Sequence, residues 1–354
     1  MNLLCLTNLS SFYSTSGFLE CPSLKIIEVV ECPNMKLFAS TFSKEQDSCM
    51  IVEDKEKKIS VKVPDLTVAF LGNMIAVPRL EELKVEWNNL KGKLNDNNQL
   101  EFLSRLKLIE LSGFEGEYAI LPPNLLQKLP KLEKLTLSDA AMEEINLDEL
   151  SILNNEHPES LALLTKLMLS KLPNLKHLVR DDSQLVPVLQ NLEDLEAFEC
   201  SRLKILVPPL VSFQNLTNLQ VSKCDGLINL ITPSTARSLV QLRRMKVKDC
   251  KMMQEIVAIV SDEAEYEICF SQLEHLELED LPCLTSFCSG SYGFYFPSLV
   301  EVVVIECPNM NNFAEKVPIT PNLNNVKTGS REFEWEWEGS LNNTIQALFL
   351  EKWR

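Results

Sequence analysis

Leu216-Thr217-Asn218-Leu219-Gln220-Val221-Ser222-Lys223-Cys224-Asp225-Gly226-Leu227-Ile228-Asn229-Leu230 decides how the rest of the chain is read. Its apolar residues are Leu216, Leu219, Val221, Cys224, Leu227 and Leu230. The step from Leu219 to Val221 has a period of two, which predicts a strand with alternate residues facing inward. The steps of three that follow cannot continue a strand. They predict tight turns or 3₁₀-like pieces that carry the chain around the back. A unit this short cannot bury its own apolar face, so copies of it must stack.

Copies are present on both sides. Leu242, Met245, Val247, Cys250, Met253 and Ile256 keep the same spacing, as do Leu273, Leu276, Leu278, Leu281, Leu284 and Phe287. The frames through Leu164 and Leu192 match too. Pro22-Ser23-Leu24 to Cys32-Pro33-Asn34-Met35 recurs as Pro297-Ser298-Leu299 to Cys307-Pro308-Asn309-Met310, at an offset of 275 residues. Unit starts at Leu24, Leu80, Leu106, Leu132, Leu164, Leu192, Leu216, Leu242, Leu273, Leu299 and a degenerate Leu323 make eleven units, with Met1 to Phe12 as the tail of one more. The expected fold class is α/β: a leucine-rich-repeat solenoid, or horseshoe, with a parallel concave sheet and a C-terminal capping hairpin and helix.

Interruptions of the period predict loops or short helices. The interval from Leu24 to Leu80 is double length and holds a candidate irregular unit through Val61, Val63 and Leu66. Asn154 to Ser160 and the acidic Ser261 to Cys269 read as insertions. Thr232-Pro233 starts a short helix, with Thr232 as N-cap and Pro233 at the first helical position. At the end, Glu332 to Glu338 alternates acid and aromatic, and Leu341, Ile345, Leu348 and Phe349 share one helical face. The expected division is therefore a repeat array over 1–329 and a cap over 330–354.

Composition narrows the function. A net charge of -16 disfavours nucleic acid and anionic membrane as partners. No apolar run is long enough for a membrane span, so no membrane insertion is expected. The 11 cysteines include no Cys-x-x-Cys pair, and His157, His177 and His275 are scattered, so no zinc site is expected. Cys32, Cys200, Cys224, Cys250 and Cys307 share one phase of the repeat, which predicts small buried hydrophobes, reduced thiols and a cytoplasmic protein. No nucleophile, base and pocket come together, so no catalytic residue, no cofactor and no enzyme activity are expected.

Pro233 to Leu242, Met245 to Cys250 and Met253 to Val257 carry a further signal, as do Phe296 to Leu299, Cys307 to Met310 and the tail Trp335 to Ile345. Together these segments resemble the repeat region of plant intracellular disease-resistance proteins, the coiled-coil, nucleotide-binding, leucine-rich-repeat receptors. The resemblance implies innate immunity: a region that senses a pathogen effector directly or through a guarded host protein, and that restrains a nucleotide-binding module. This sequence has no Gly-x-x-x-x-Gly-Lys-Ser/Thr loop. Met1 aligns with Leu276, so the chain is expected to begin inside a repeat of a longer receptor or of a truncated relative. The alternative is a generic repeat adaptor, such as the substrate receptor of a ubiquitin ligase.

Candidate contact residues are those that alternate with the core leucines on the concave face. They are Met168; Asp194, Glu196 and Phe198; Arg244, Lys246 and Lys248; His275, Glu277 and Glu279; and Val303 and Ile305. Ile26 and Val30 fall at equivalent positions. The basic row from Arg244 to Lys248 is expected two units from one acidic row and beside another. Such rows either neutralise each other or select a protein partner by charge.

Overall fold

The computed structural model describes residues 2–4, 19–20, 23–30, 69–70, 73–76, 79–87, 104–113, 129–143, 163–178, 189–206, 212–259, 267–328 and 335–351. One sheet of thirteen strands runs through them. In chain order these are β1 (Asn2–Leu4), β2 (Ile26–Val30), β3 (Glu82–Glu86), β4 (Leu108–Ser112), β5 (Lys134–Ser138) and β6 (Lys166–Ser170). There follow β7 (Asp194–Phe198), β8 (Asn218–Ser222), β9 (Arg244–Lys248), β10 (His275–Glu279), β11 (Glu301–Ile305), β12 (Val326–Lys327) and β13 (Trp335–Glu336). Each pairs with the next in parallel from β1 to β12, and β13 closes the sheet antiparallel on β12. The chain is a leucine-rich-repeat solenoid, mostly sheet, with a C-terminal helix.

The spacing accounts for one turn of it. In the Leu216 unit, Leu219 and Val221 are the buried residues of β8, while Asn218, Gln220 and Ser222 are half-buried on the other face. The step from Cys224 to Leu227 is a closed turn: the Leu227 N–H donates to the Cys224 carbonyl at 3.2 Å, and Met253 to Cys250 and Leu284 to Leu281 repeat the bond, whereas the next step reaches a short strand, Asn229–Ile231, parallel to Glu255–Val257. A second turn lies before β5 and before each strand from β7 to β12, and it escapes the sequence template. Leu216 N–H donates to Phe213, Leu242 to Leu239 and Leu299 to Phe296.

Between the strand and the buried Cys, the chain turns a corner that only one backbone shape allows. The residue after the strand has positive φ in unit after unit: Asp139, Lys171, Glu199, Lys223, Asp249, Asp280 and Glu306 lie between 50° and 55°, and Gly113 takes the place at 66°. A side chain there costs about 1–2 kcal/mol. The corner repays it by turning the next residue into the core. Cys200, Cys224, Cys250 and Cys307 are buried, and their Sγ atoms lie within reach of backbone carbonyls, as from Cys224 to Ala197 at 3.7 Å and to Ser222 at 3.4 Å. Burial pushes the Cys250 thiol up to about 12, which leaves it a packing group. Cys32 lies outside the described residues.

Neighbouring turns are tied by side chains as well. Asn174, Asn309 and Asn322 each follow a proline, and each donates its amide to a carbonyl of the preceding turn, Ala141, Pro282 and Pro297. On the back, same-phase phenylalanines stack: Phe287 on Phe313 at 4.8 Å between centroids, and Phe270 on Phe296 at 5.3 Å. Gly226 sits where a Cβ would come within 2.7 Å of the Ser201 carbonyl oxygen, so only glycine fits that turn.

Some expectations change. The sheet passes straight from β2 to β3, with Ile26 opposite Glu82. The double-length interval therefore adds no strand between them, and its candidate unit through Val61, Val63 and Leu66 lies outside the described residues. Residues 154–160 also lie outside. The acidic insertion is partly regular: Glu267–Cys269 forms a strand parallel to Gly293–Tyr295. Apolar Ile268 and Phe294 are buried there, and that packing draws the segment in. Helix α1 (Pro233–Ser238) has Thr232 as its N-cap, accepting from the Thr235 N–H. Helix α2 (Leu341–Glu351) buries Leu341 and Ile345. Its buried Asn342 donates to the Ala314 carbonyl at 2.8 Å and accepts from the Ala314 N–H at 3.2 Å. That amide takes the place a further turn of backbone would occupy.

Two outcomes follow for thermal unfolding followed by circular dichroism. Glu306→Gly should stabilise by about 0.5–1 kcal/mol, and Glu306→Val should destabilise, because a β-branched residue resists positive φ. Asn342→Ala should cost about 1–3 kcal/mol, since it orphans the buried Ala314 N–H and leaves the Ala314 carbonyl with the Asn312 amide alone. An unchanged midpoint in either series would contradict the corresponding account.

Candidate protein-interaction face

On the five-residue strands β7, β8 and β10 the second and fourth residues are buried and the others half-buried. This alternation places the first, third and fifth residues in three rows across the face opposite the core. The register makes the rows explicit. Across the first row, Lys166, Asp194, Asn218, Arg244, His275 and Glu301 are successive neighbours. Across the third, Met168, Glu196, Gln220, Lys246, Glu277 and Val303 succeed one another. Across the fifth lie Ser170, Phe198, Ser222, Lys248, Glu279 and Ile305.

Much of the charge is matched strand to strand. Lys246 bonds Glu277, Lys248 bonds Glu279 at 3.0 Å, and Lys166 bonds Asp194 at 2.6 Å. His275 Nδ1 lies 2.8 Å from the Glu301 carboxylate, a hydrogen bond to the next strand. The hydrogen bond and charge of Asp194 raise the Lys166 pKa. Burial works to raise the Glu279 carboxyl, but the Lys248 ammonium overrides it and holds the group below the usual range. Arg244 differs from its neighbours on β9. It is exposed, and among the described residues its guanidinium meets no carboxylate.

Two shallow hollows share this ground. One, of about 240 Å³, is lined by Met168, Glu196, Phe198, Gln220, Ser222 and Lys246. The other, of about 340 Å³, is lined by Asn218, Arg244, Lys246, His275, Glu277 and Glu301. Lys223 holds its ammonium 5.1 Å from the centroid of the Phe198 ring, a cation–π contact. The apolar candidates divide. Ile26 is 40% exposed, and Met168, Phe198 and Ile305 are half-buried. Val303 was expected to be open but is only 9% exposed, between Glu277 and Lys327 in the register. The side chain of Val30 lies outside the described residues. Asn218, Gln220 and Ser222 were absent from the expected set, although the same alternation rule in the Leu216 unit points to them. Only the charged and apolar rows had drawn notice.

With this geometry in place, the comparisons with known proteins identify the repeats. The family model described as plant disease resistance protein RPS2-like, leucine-rich repeats, matches residues 79–212 and 208–325. Three probable disease resistance proteins of Arabidopsis thaliana are 27%, 26% and 27% identical over 268, 257 and 273 residues. The matches take in 73%, 67% and 70% of this chain but only 34%, 25% and 32% of those proteins. Among solved structures, the leucine-rich repeat domain of the type III effector XopL is similar over 69% of this chain and 70% of its own, at 17% identity and a TM-score of 0.38. The family model spans well over half of the sequence, and on that ground the chain belongs to the RPS2-like leucine-rich repeats of plant disease resistance proteins.

Proposed function

We propose that this chain is the recognition and regulatory repeat region of a plant immune receptor. In this reading it senses a pathogen effector, directly or through a guarded host protein, and in the resting state it holds the nucleotide-binding module of the full-length receptor inactive. It works by binding alone, without a cofactor, in the cytoplasm. One observation carries the reading: the match to disease resistance repeats covers β3 to β11, the strands whose half-buried rows and hollows form the candidate face. A sheet face with two hollows, apolar floor residues and a patterned charge rim suits a protein surface. The relatives' greater length accords with a region that acts on a module elsewhere in the same receptor.

The test is a cell-death assay in leaf tissue. A receptor carrying this repeat region is expressed with the native face or with Arg244→Glu, Lys246→Glu and Lys248→Glu together. The reading predicts a change in one of two outputs: death without an elicitor if the face restrains the module, or loss of the elicited response if it senses. A receptor that accumulates to the native level with both outputs unchanged would contradict it.

A further inference from the structure

The face around β8 holds two charges that no ion pair among the described residues answers. Glu196 on β7 makes no ion pair or hydrogen bond within the described residues, and Lys166, which feels its field, is bonded to Asp194. Arg244 on β9 has no carboxylate partner among the described residues, although Lys246 and Lys248 on the same strand each have one. Between the two charges runs β8, whose outward residues Asn218, Gln220 and Ser222 carry no charge. Gln220 spends one amide bond on Asn218, at 3.3 Å. The pattern across three strands is therefore negative, neutral, positive. Beside the negative end lies the apolar floor of the smaller hollow, Met168 and Phe198.

We propose that this patch binds an extended polypeptide segment that carries an apolar residue, then a basic residue, then an acidic one. The inference rests on the reading of the face as a protein-binding surface and adds the chemistry of the partner. The apolar side chain sits on Met168 and Phe198. The basic one meets Glu196. The acidic one meets the fork of Arg244, with the Asn218 amide beside it in the register. The spacing follows from sheet geometry. Glu196 and Arg244 are two strands apart, about 10 Å, and two residues apart along the strands, about 7 Å. The diagonal of about 12 Å is covered by about four residues of extended chain. Phe198 lies two residues beyond Glu196 on the side away from Arg244, so the apolar residue precedes the basic one by about two. A segment with the charges in the reverse order would set like charge against like at both ends.

A peptide array read with the full chain tests this. The reference peptide is a heptapeptide with leucine first, lysine third, glutamate seventh and serine elsewhere. A second set exchanges the lysine and the glutamate, and a third varies their separation. The expected result is retention of the reference peptide, about tenfold weaker retention of the exchanged one, and a maximum at the reference separation. The double variant Glu196→Lys/Arg244→Glu, with an unchanged melting temperature, should reverse the preference for charge order. Retention blind to charge order, the same preference in the double variant, or no peptide retained at all would each overturn the proposal. None of these touches the wider reading, which fails only on the unchanged receptor outputs described above.

Discussion

Every turn of this protein depends on its neighbour for two things at once. Its leucines have no core of their own, and the backbone groups of its strand point along the stack and not within the turn. Leu219 and Val221 are buried only because Leu195 and Ala197 lie on one side and Met245 and Val247 on the other. The same stacking pairs the strand backbones in register. An interior turn is thus satisfied from both sides, whereas the last one is not. The protein answers at its C-terminal end with an antiparallel strand and with the Asn342 amide, which stands in for missing backbone.

That dependence explains why irregularity among the described residues falls on the back. A strand that slipped by one residue would turn its whole apolar set outward, so β3 to β11 keep one register. The back tolerates short paired strands, a six-residue helix and phenylalanine stacks, because turns there need only close the distance to the next strand. The corner after the strand keeps one backbone shape from β4 to β11. Seven non-glycine residues accept positive φ at the same place, and the strain recurs because the alternative is to lose the Cys, Leu or Ala that follows from the core.

The strands and the buried phase were legible because a period of two followed by steps of three has one physical solution. The corner was not, since Lys and Glu at that place give no hint of positive φ and the three Asp give only a weak one. Nor were the Asn bridges to the preceding turn, although Pro-Asn recurs in Cys307-Pro308-Asn309-Met310, because an amide's partner on another turn leaves no mark in local sequence. On the face, alternation placed Arg244, Lys246 and Glu277 correctly in rows. It could not say which charges pair, because that turns on side-chain reach across strands: Lys246 finds Glu277, while Arg244, one row away between Asn218 and His275, finds none among the described residues.

The central claim is that the face over β7 to β10 is the surface this protein uses. Covalent footprinting of carboxylates and amines tests it most directly, by comparing the isolated repeat chain with the same repeats inside the resting receptor proposed above. The account predicts reduced labelling at Glu196, Lys246 and Glu277 in the receptor, with Lys204, Glu267 and Glu315 labelled equally in both. Equal labelling across the face, with protection confined to Lys204, Glu267 and Glu315, would contradict it.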